Sequence, residues 1–319
     1  MNYVFLMGSL DSVIAKKDTS LALMVAAHRK GHSVFFLPNG GMVVKGKRLK
    51  FHVREVLPQF DEEQPFINKG AAVLSDDDVD VVFIRTDPPF NDQYLHNTWL
   101  LDLLPAHVPV INRPLGIRTV NEKIWASQFT SIVPRTMIAS HKKELLAFLK
   151  EEKDVIAKPT NSYGGQSVFH LNANGPNAIV ILETLTKNWS RDIIMQEYIP
   201  AAEHGDKRIL LLDGEPLGVV LRVHSQDDHR NNFFAGGKPL AANINRRDEE
   251  IISILKPEFK RLGLYFVGID IIGDYLIETN VTSPTCLQEM NRLYNCQLED
   301  KVINFSEELA KQWTETRIS

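Results

Sequence analysis

The chain has 319 residues, 44% hydrophobic and 24% charged, with a net charge of −4, which fits two or three domains around a large core and leaves no basic footprint for nucleic acid. The opening Met-Asn-Tyr-Val-Phe-Leu-Met-Gly lacks the basic flank of a signal peptide, and no run approaches the ~20 apolar residues of a membrane span. The only cysteines, Cys286 and Cys296, suit a reducing, cytoplasmic setting and form neither a zinc pattern nor a disulfide scaffold.

Tyr3 to Met7 is a short apolar run ended by Gly8. Asp18 or Thr19 caps a helix from Ser20 to Lys30, with Gly31 as its stop. Ser33 to Leu37 reads as a second strand. Val79 to Ile84 is continuously apolar, as in a strand covered on both faces. Gln93 to Leu104 is helical and Val108 to Ile111 is a strand. This β-α-β rhythm predicts a parallel sheet with helices on its faces. Such sheets bind ligands at strand carboxyl ends, which here carry Gly8-Ser9, Arg85-Thr86-Asp87-Pro88-Pro89 and Asn112-Arg113-Pro114.

A second module begins near Asn121. Glu122 to Phe129 and Lys142 to Lys150 read as helices, Val155 to Lys158 as a strand, and Thr160 to Gly165 as a turn-rich loop. Val168 to Leu171, Ala178 to Lys187 and Ile193 to Glu197 follow as strand, helix and strand. A third segment begins at Pro200, with strands Arg208 to Leu212 and Gly218 to Val223 joined at Asp213-Gly214. The polar stretch His224 to Asn245 is too long for an ordinary connection, and such loops are lids or binding loops. Asp248 to Leu262 is a helix closed by Gly263, Phe266 to Ile272 and Leu276 to Asn280 a hairpin, and Glu299 to Gln312 the closing helix. The expected division is 1–120, 121–199 and 200–319.

The sharpest chemistry lies in that hairpin. Glu278 and Asn280 are two apart and share a strand face. Where Asp270 points depends on register. A two-residue loop, Gly273-Asp274, pairs Asp270 with Ile277; a three-residue loop ending at Tyr275 pairs it with Glu278. The latter gathers two carboxylates and an amide oxygen, the hard donors that magnesium favours. Lys158 precedes Pro159 and the small-residue loop Asn161 to Ser167, where backbone amides can approach an anion. Alone, that loop is also what a plain turn looks like. Gln196-Glu197-Tyr198-Ile199-Pro200 joins two modules, either as a linker or as a backbone edge for adenine with Glu197 accepting from its amino group. Gly205-Asp206-Lys207-Arg208, Arg222, Arg230 and Lys238 supply cations suited to phosphate or carboxylate.

Read together, these segments resemble the ATP-grasp ligases, and closely the bacterial glutathione synthetase family, nearly end to end. The blocks that carry the resemblance are Arg85 to Phe90, Asn121-Glu122-Lys123, Gly205 to Arg208, Asp213-Gly214-Glu215-Pro216, and Val267 through Cys286. The resemblance implies an α/β ATP-grasp fold: an N-terminal parallel-sheet domain and two α+β subdomains that clamp ATP. It implies Lys123 and Lys158 on the nucleotide phosphates, with Gly164, Gly165 and Asp206 also on the ATP side. It makes Gln196, Glu197, Tyr198 and Ile199 the adenine hinge. It implies Asp270, Glu278 and Asn280 as ligands of magnesium or manganese, which selects the three-residue hairpin loop. Arg208 and Arg222 become charge stabilisers at the transferred phosphoryl, and Arg230, Asn232, Ser283, Pro284 and Thr285 substrate contacts. Thr160 to Gly165 and His224 to Gly237 become the small and large loops. The implied reaction joins γ-glutamylcysteine to glycine with ATP, through an acyl phosphate, in a homotetramer. The small loop is less acidic and less glycine-rich than the family pattern, and the large loop carries Phe233-Phe234. These departures leave another acid and amine as the alternative.

Overall fold

The computed structural model describes residues 1–223 and 237–315. The N-terminal sheet starts with β1 (Asn2–Leu6), followed by α1 (Thr19–Arg29), which Asp18 caps by accepting from Leu21 N. β2 (Ser33–Leu37) comes next. Then come β3 (Met42–Lys45), β4 (Arg48–Pro58) and β5 (Phe66–Ser75), a stretch to which the sequence reading assigns no element. β6 (Val81–Ile84), α2 (Asp92–Leu101), β7 (Val110–Ile111) and α3 (Pro114–Thr119) complete the unit. β2, β1, β6 and β7 are parallel neighbours. The sheet as a whole is mixed, because β4 pairs antiparallel with β2, β3 and β5. In β4, Leu49, Phe51 and Val53 are buried while Arg48, Lys50, His52 and Arg54 are exposed, the period-two pattern of a half-buried strand.

The second sheet contains β8 (Thr136–Ala139), β9 (Asp154–Pro159), β10 (Phe169–Asn172) and β11 (Ile193–Glu197), in the order β10-β9-β11-β8. Helices α4 (Lys142–Glu152) and α5 (Ala178–Leu185) pack on it around Leu145, Leu149, Val155, Leu182 and Met195. The helix expected over Glu122 to Phe129 is only a 3-10 turn, Trp125–Gln128. An α-helix would need the Glu122 carbonyl for its own ladder, and that oxygen accepts from Thr279 N instead, at 2.9 Å.

The third sheet runs β14-β13-β12-β15-β16. Its strands are β12 (Asp206–Leu212), β13 (Glu215–Val223), β14 (Lys238–Leu240), β15 (Phe266–Ile272) and β16 (Tyr275–Asn280). Helix α6 (Arg246–Leu262) begins at a capping box, Asn245 with Asp248, and ends at left-handed Gly263. Helices α7 (Leu287–Tyr294), which the sequence reading passes over, and α8 (Leu298–Glu315) return to the N-terminal sheet. There Tyr3 Oη meets Ser306 Oγ at 3.0 Å. The first and third sheets share their cores: Val4 and Leu6 belong to one apolar cluster with Ile209, Leu211 and Ile269. Asn112 stitches the seam, donating to Phe266 O and Val281 O at 2.8 Å each and accepting from Phe266 N at 2.7 Å.

The hairpin register corrects one expectation. Asp270 does pair with Glu278, but the loop is Gly273-Asp274, with Ile272 opposite Tyr275 and Ile271 opposite Leu276. A bulge between Asp270 and Ile271 shifts the ladder past Ile277. The extra residue sits inside the strand, where a bulge re-aims side chains, rather than in the turn.

Candidate active site

Strand register builds the polar wall of this site. Asp206 lies opposite Arg222, Arg208 opposite Asp270, and Asp270 opposite Glu278. Asp206 and Arg208 are two apart on β12, so all five groups share one face of the sheet. Arg208 grips Asp270 with both prongs, Nε to Oδ1 and Nη2 to Oδ2 at 2.6 Å each. Arg222 holds Asp206 through Nε at 3.0 Å and through Nη2, and its Nη2 also lies 2.8 Å from Asp270 Oδ2. These four residues are buried, and their hydrogen bonds offset the cost of taking charge from water. Burial by itself would raise the Asp270 carboxyl, but the two guanidiniums overcome it and hold the acid well below the usual carboxylate range. Asn280 Nδ2 stands 3.5 Å from Asp270 Oδ2.

Two lysines approach this row. Lys123 donates to Glu278 Oε1 at 2.6 Å and to Ser162 O at 2.5 Å, joining the hairpin to the small loop. Gly164 and Gly165 in that loop have φ of 62° and 71°, left-handed values that glycine adopts without a Cβ penalty. Lys158, on β9, donates to Gln196 Oε1 at 3.2 Å. Desolvation lowers its pKa to about 8. Gln196 in turn donates to Thr136 Oγ1 at 2.9 Å. Glu197 turns its carboxylate toward Arg135, at 3.6 Å, and the Tyr198 ring stacks on His170 with centroids 4.1 Å apart.

A cleft of about 900 Å³ brings these groups together. Its walls include Lys123, Lys158, the Gly164-Gly165 pair, the Gln196 to Ile199 segment and the charged row from Arg222 to Asn280. Ser283 and Thr285 line it too, and Arg208 Nη1 reaches Thr285 Oγ1 at 3.4 Å. Pro284, expected as a substrate contact, is not among the lining residues; its carbonyl accepts from Arg85 Nη2 at 2.9 Å. Arg230 and Asn232, with the rest of the expected large loop through Gly236, lie outside the described residues.

Glu122 is a residue whose part the sequence reading misses. Its Oε1 accepts from Val281 N at 2.9 Å, Thr282 N at 3.1 Å and Thr282 Oγ1 at 2.8 Å. The neighbour of Lys123 therefore fastens the chain just beyond Asn280. The available signal was position alone, a carboxylate directly before an expected phosphate lysine.

Family models describe what this chain is similar to. The model of the prokaryotic glutathione synthetase N-terminal domain matches residues 1–118, and that of the prokaryotic glutathione synthetase ATP-grasp domain matches residues 122–295. The glutathione synthetase of Pseudomonas aeruginosa is 38% identical over 291 residues, covering 91% of this chain and 92% of that protein. The one from Thermosynechococcus vestitus is 37% identical, covering 95% and 98%. Among solved structures, D-cycloserine synthetase DcsG superposes with a TM-score of 0.66 at 14% identity, over 98% of this chain and 99% of that one. D-alanine–D-alanine ligase from Bacillus anthracis, complexed with ATP, does so with a TM-score of 0.58 at 13% identity, over 98% and 99%. These two likenesses establish the fold. The chain belongs to the prokaryotic glutathione synthetase family and has the ATP-grasp fold.

Proposed function

We propose that this chain is an ATP-dependent carboxylate–amine ligase that joins γ-glutamylcysteine to glycine, giving glutathione, ADP and phosphate. The observation that carries the reading is the charged row across β13, β12, β15 and β16, set in one cleft with two lysines. The relatives, each a glutathione synthetase, support this acid and amine over another pair.

A carboxylate is a poor electrophile, and it repels the phosphates it must attack. In the proposed sequence a cysteinyl carboxylate oxygen bonds to the γ-phosphorus and ADP leaves. Glycine's amine then bonds to the acyl carbon, loses a proton, and phosphate leaves. Such transfers depend on positioning and electrostatics rather than on a nucleophilic side chain. Lys123 and Lys158 hold the nucleotide phosphates, with the amides of Gly164-Gly165 and the Asp206 end of β12 alongside. Gln196 to Ile199 receives the adenine. Arg208 and Arg222 offset charge that gathers at the transferred phosphoryl, and Asp270 and Asp206 fix their orientation. Ser283 and Thr285 lie against the peptide, and Pro284 between them holds Arg85 through its carbonyl.

ATP is used with a divalent cation, and the donor set fits one. Asp270 and Glu278 face each other across the ladder with Asn280 in the same cleft; their carboxylates are held here by Arg208, Arg222 and Lys123, so the ion would share them with those cations, and the Asn280 amide would turn its oxygen toward it. Magnesium typically takes one or two carboxylates with substrate phosphates and water, and manganese accepts the same donors. When bound there, the ion would neutralise phosphate charge. We further place the protein in the cytoplasm as a homotetramer, which sedimentation at micromolar concentration would check. Among the described residues no helix is long and apolar enough to cross a membrane.

The test is ADP release with ATP, magnesium and γ-glutamylcysteine, with and without glycine, reading product mass in the same tubes. Glycine-dependent release with the mass of glutathione supports the reading. Release that ignores glycine, without that product, would replace it with a kinase.

A further inference from the structure

Behind the phosphate lysine of β9 lies a short row of polar side chains. β11 runs between β9 and β8. Gln196 on β11 stands directly opposite Thr136 on β8, while Lys158 on β9 stands opposite Ile194, two residues before Gln196. Thr136, Gln196 and Lys158 therefore share one face of the sheet, as a direct pair and a diagonal one. Lys158 and Gln196 are 6% and 7% exposed and both line the cleft. Thr136 stands one strand farther out and is not among the lining residues.

The hydrogen bonds of this row run in one direction. Thr136 Oγ1 donates to Pro134 O at 2.8 Å. A carbonyl can only accept, and a hydroxyl has a single proton, so Thr136 has only lone pairs left for its other neighbour. That neighbour is the Gln196 amide, whose Nε2 donates to Thr136 Oγ1 at 2.9 Å. With the NH2 end committed there, Gln196 Oε1 faces Lys158 Nζ and accepts from it at 3.2 Å. Turned over, the amide would set N–H groups against the ammonium at one end and an oxygen against the hydroxyl's lone pairs at the other. In so buried a row that mismatch leaves polar groups unsatisfied at both ends.

We propose that Thr136 is a positioning residue for the nucleotide: by accepting from Gln196 it fixes the amide with its oxygen toward Lys158, and so holds the ammonium where the phosphates of ATP arrive. The inference rests on the role given to Lys158 in the function proposed above. Thr136 acts through Gln196 and touches neither ATP nor peptide. Valine in its place keeps the size and the branching at Cβ but cannot accept, so nothing holds the amide against turning its NH2 to the lysine.

Calorimetry with magnesium and the non-hydrolysable imido analogue of ATP reads this without either acid or amine. Thr136→Val should weaken binding about tenfold, the scale of one hydrogen bond to a charged group. In turnover it should raise the KM for ATP by a similar factor and leave kcat within about twofold, as lost ground-state binding does. Thr136→Ser keeps the hydroxyl and should bind within about twofold of the unaltered protein. Gln196→Met removes the amide through which Thr136 acts, so adding Thr136→Val to it should cost less than about twofold more. Serine as weak as valine, or the same tenfold loss from Thr136→Val with and without the Gln196 amide, would overturn the proposal. Should Thr136→Val fail to fold, Gln196→Met decides, because affinity unchanged by the loss of that amide also overturns it. An unaltered protein that does not bind the analogue refutes it too. The expected pattern of binding in a protein that makes no glutathione would refute the reaction and leave the role of Thr136 standing.

Discussion

Replacing Glu122 by alanine should damage stability and turnover together, while glutamine should spare both. One carboxylate oxygen serves Val281 N, Thr282 N and Thr282 Oγ1, and Val281 and Thr282 are 0% and 5% exposed. Alanine leaves three donors without an acceptor, at about 1–3 kcal/mol each if they stay dry. Water entering the vacated volume recovers part of that, so the expected loss is about 3–4 kcal/mol. Burial, then the charge of Glu278, raises the Glu122 pKa, so a neutral amide with the same acceptor oxygen should cost no more than about 1.5 kcal/mol. Urea unfolding measures both. The Glu122 carbonyl keeps its bond from Thr279 N in alanine, but losing the carboxylate loosens the chain just beyond Asn280 beside Lys123 and Glu278, which should lower kcat about tenfold, as lost supporting contacts often do. Alanine within about 0.5 kcal/mol of the unaltered protein, or glutamine as harmful as alanine, would mean that the Glu122 oxygen does not hold this turn.

Three further outcomes follow from the same geometry. The Lys158 ammonium, with its pKa lowered to about 8 by desolvation, loses its charge as pH rises through that value. The kcat/KM for ATP, which reports the free enzyme, should therefore fall above pH 8, and Lys158→Arg should flatten that limb. Asn112→Ala orphans the Phe266 N–H and the carbonyls of Phe266 and Val281, and should cost about 3 kcal/mol in urea unfolding. Glu278→Gln should raise the magnesium needed for half-maximal rate about tenfold or more; an unchanged requirement would remove Glu278 from the metal site.

Much of the fold was legible where local patterns are strong. Val79 to Ile84 announces a covered strand, and the caps of α1 and α6 are written at Asp18 and Gly263. The antiparallel extension β3 to β5 is written only in the alternation of Leu49, Phe51 and Val53 with charged neighbours, a pattern that marks a half-buried strand but names no partner for it. The Asp270–Glu278 pairing depends on a bulge between Asp270 and Ile271 rather than on a longer turn, and a bulge leaves no composition signal comparable to a turn's glycine. The grip of Arg208 on Asp270 depends on how β12 registers against β15, residues far apart in the chain. Periodicity fixes a strand's faces but not its partner. For the same reason nothing in the sequence brings Arg85 and Glu289, some two hundred positions apart, into one cleft.

Isotope transfer tests the acyl-phosphate step. The protein would receive ATP, magnesium, glycine and γ-glutamylcysteine carrying oxygen-18 in the cysteinyl carboxylate. Phosphorylation of the carboxylate should give glutathione with one labelled oxygen lost from that carboxylate and the same label recovered in inorganic phosphate. Glutathione formed with unlabelled phosphate would contradict activation of the carboxylate by phosphoryl transfer.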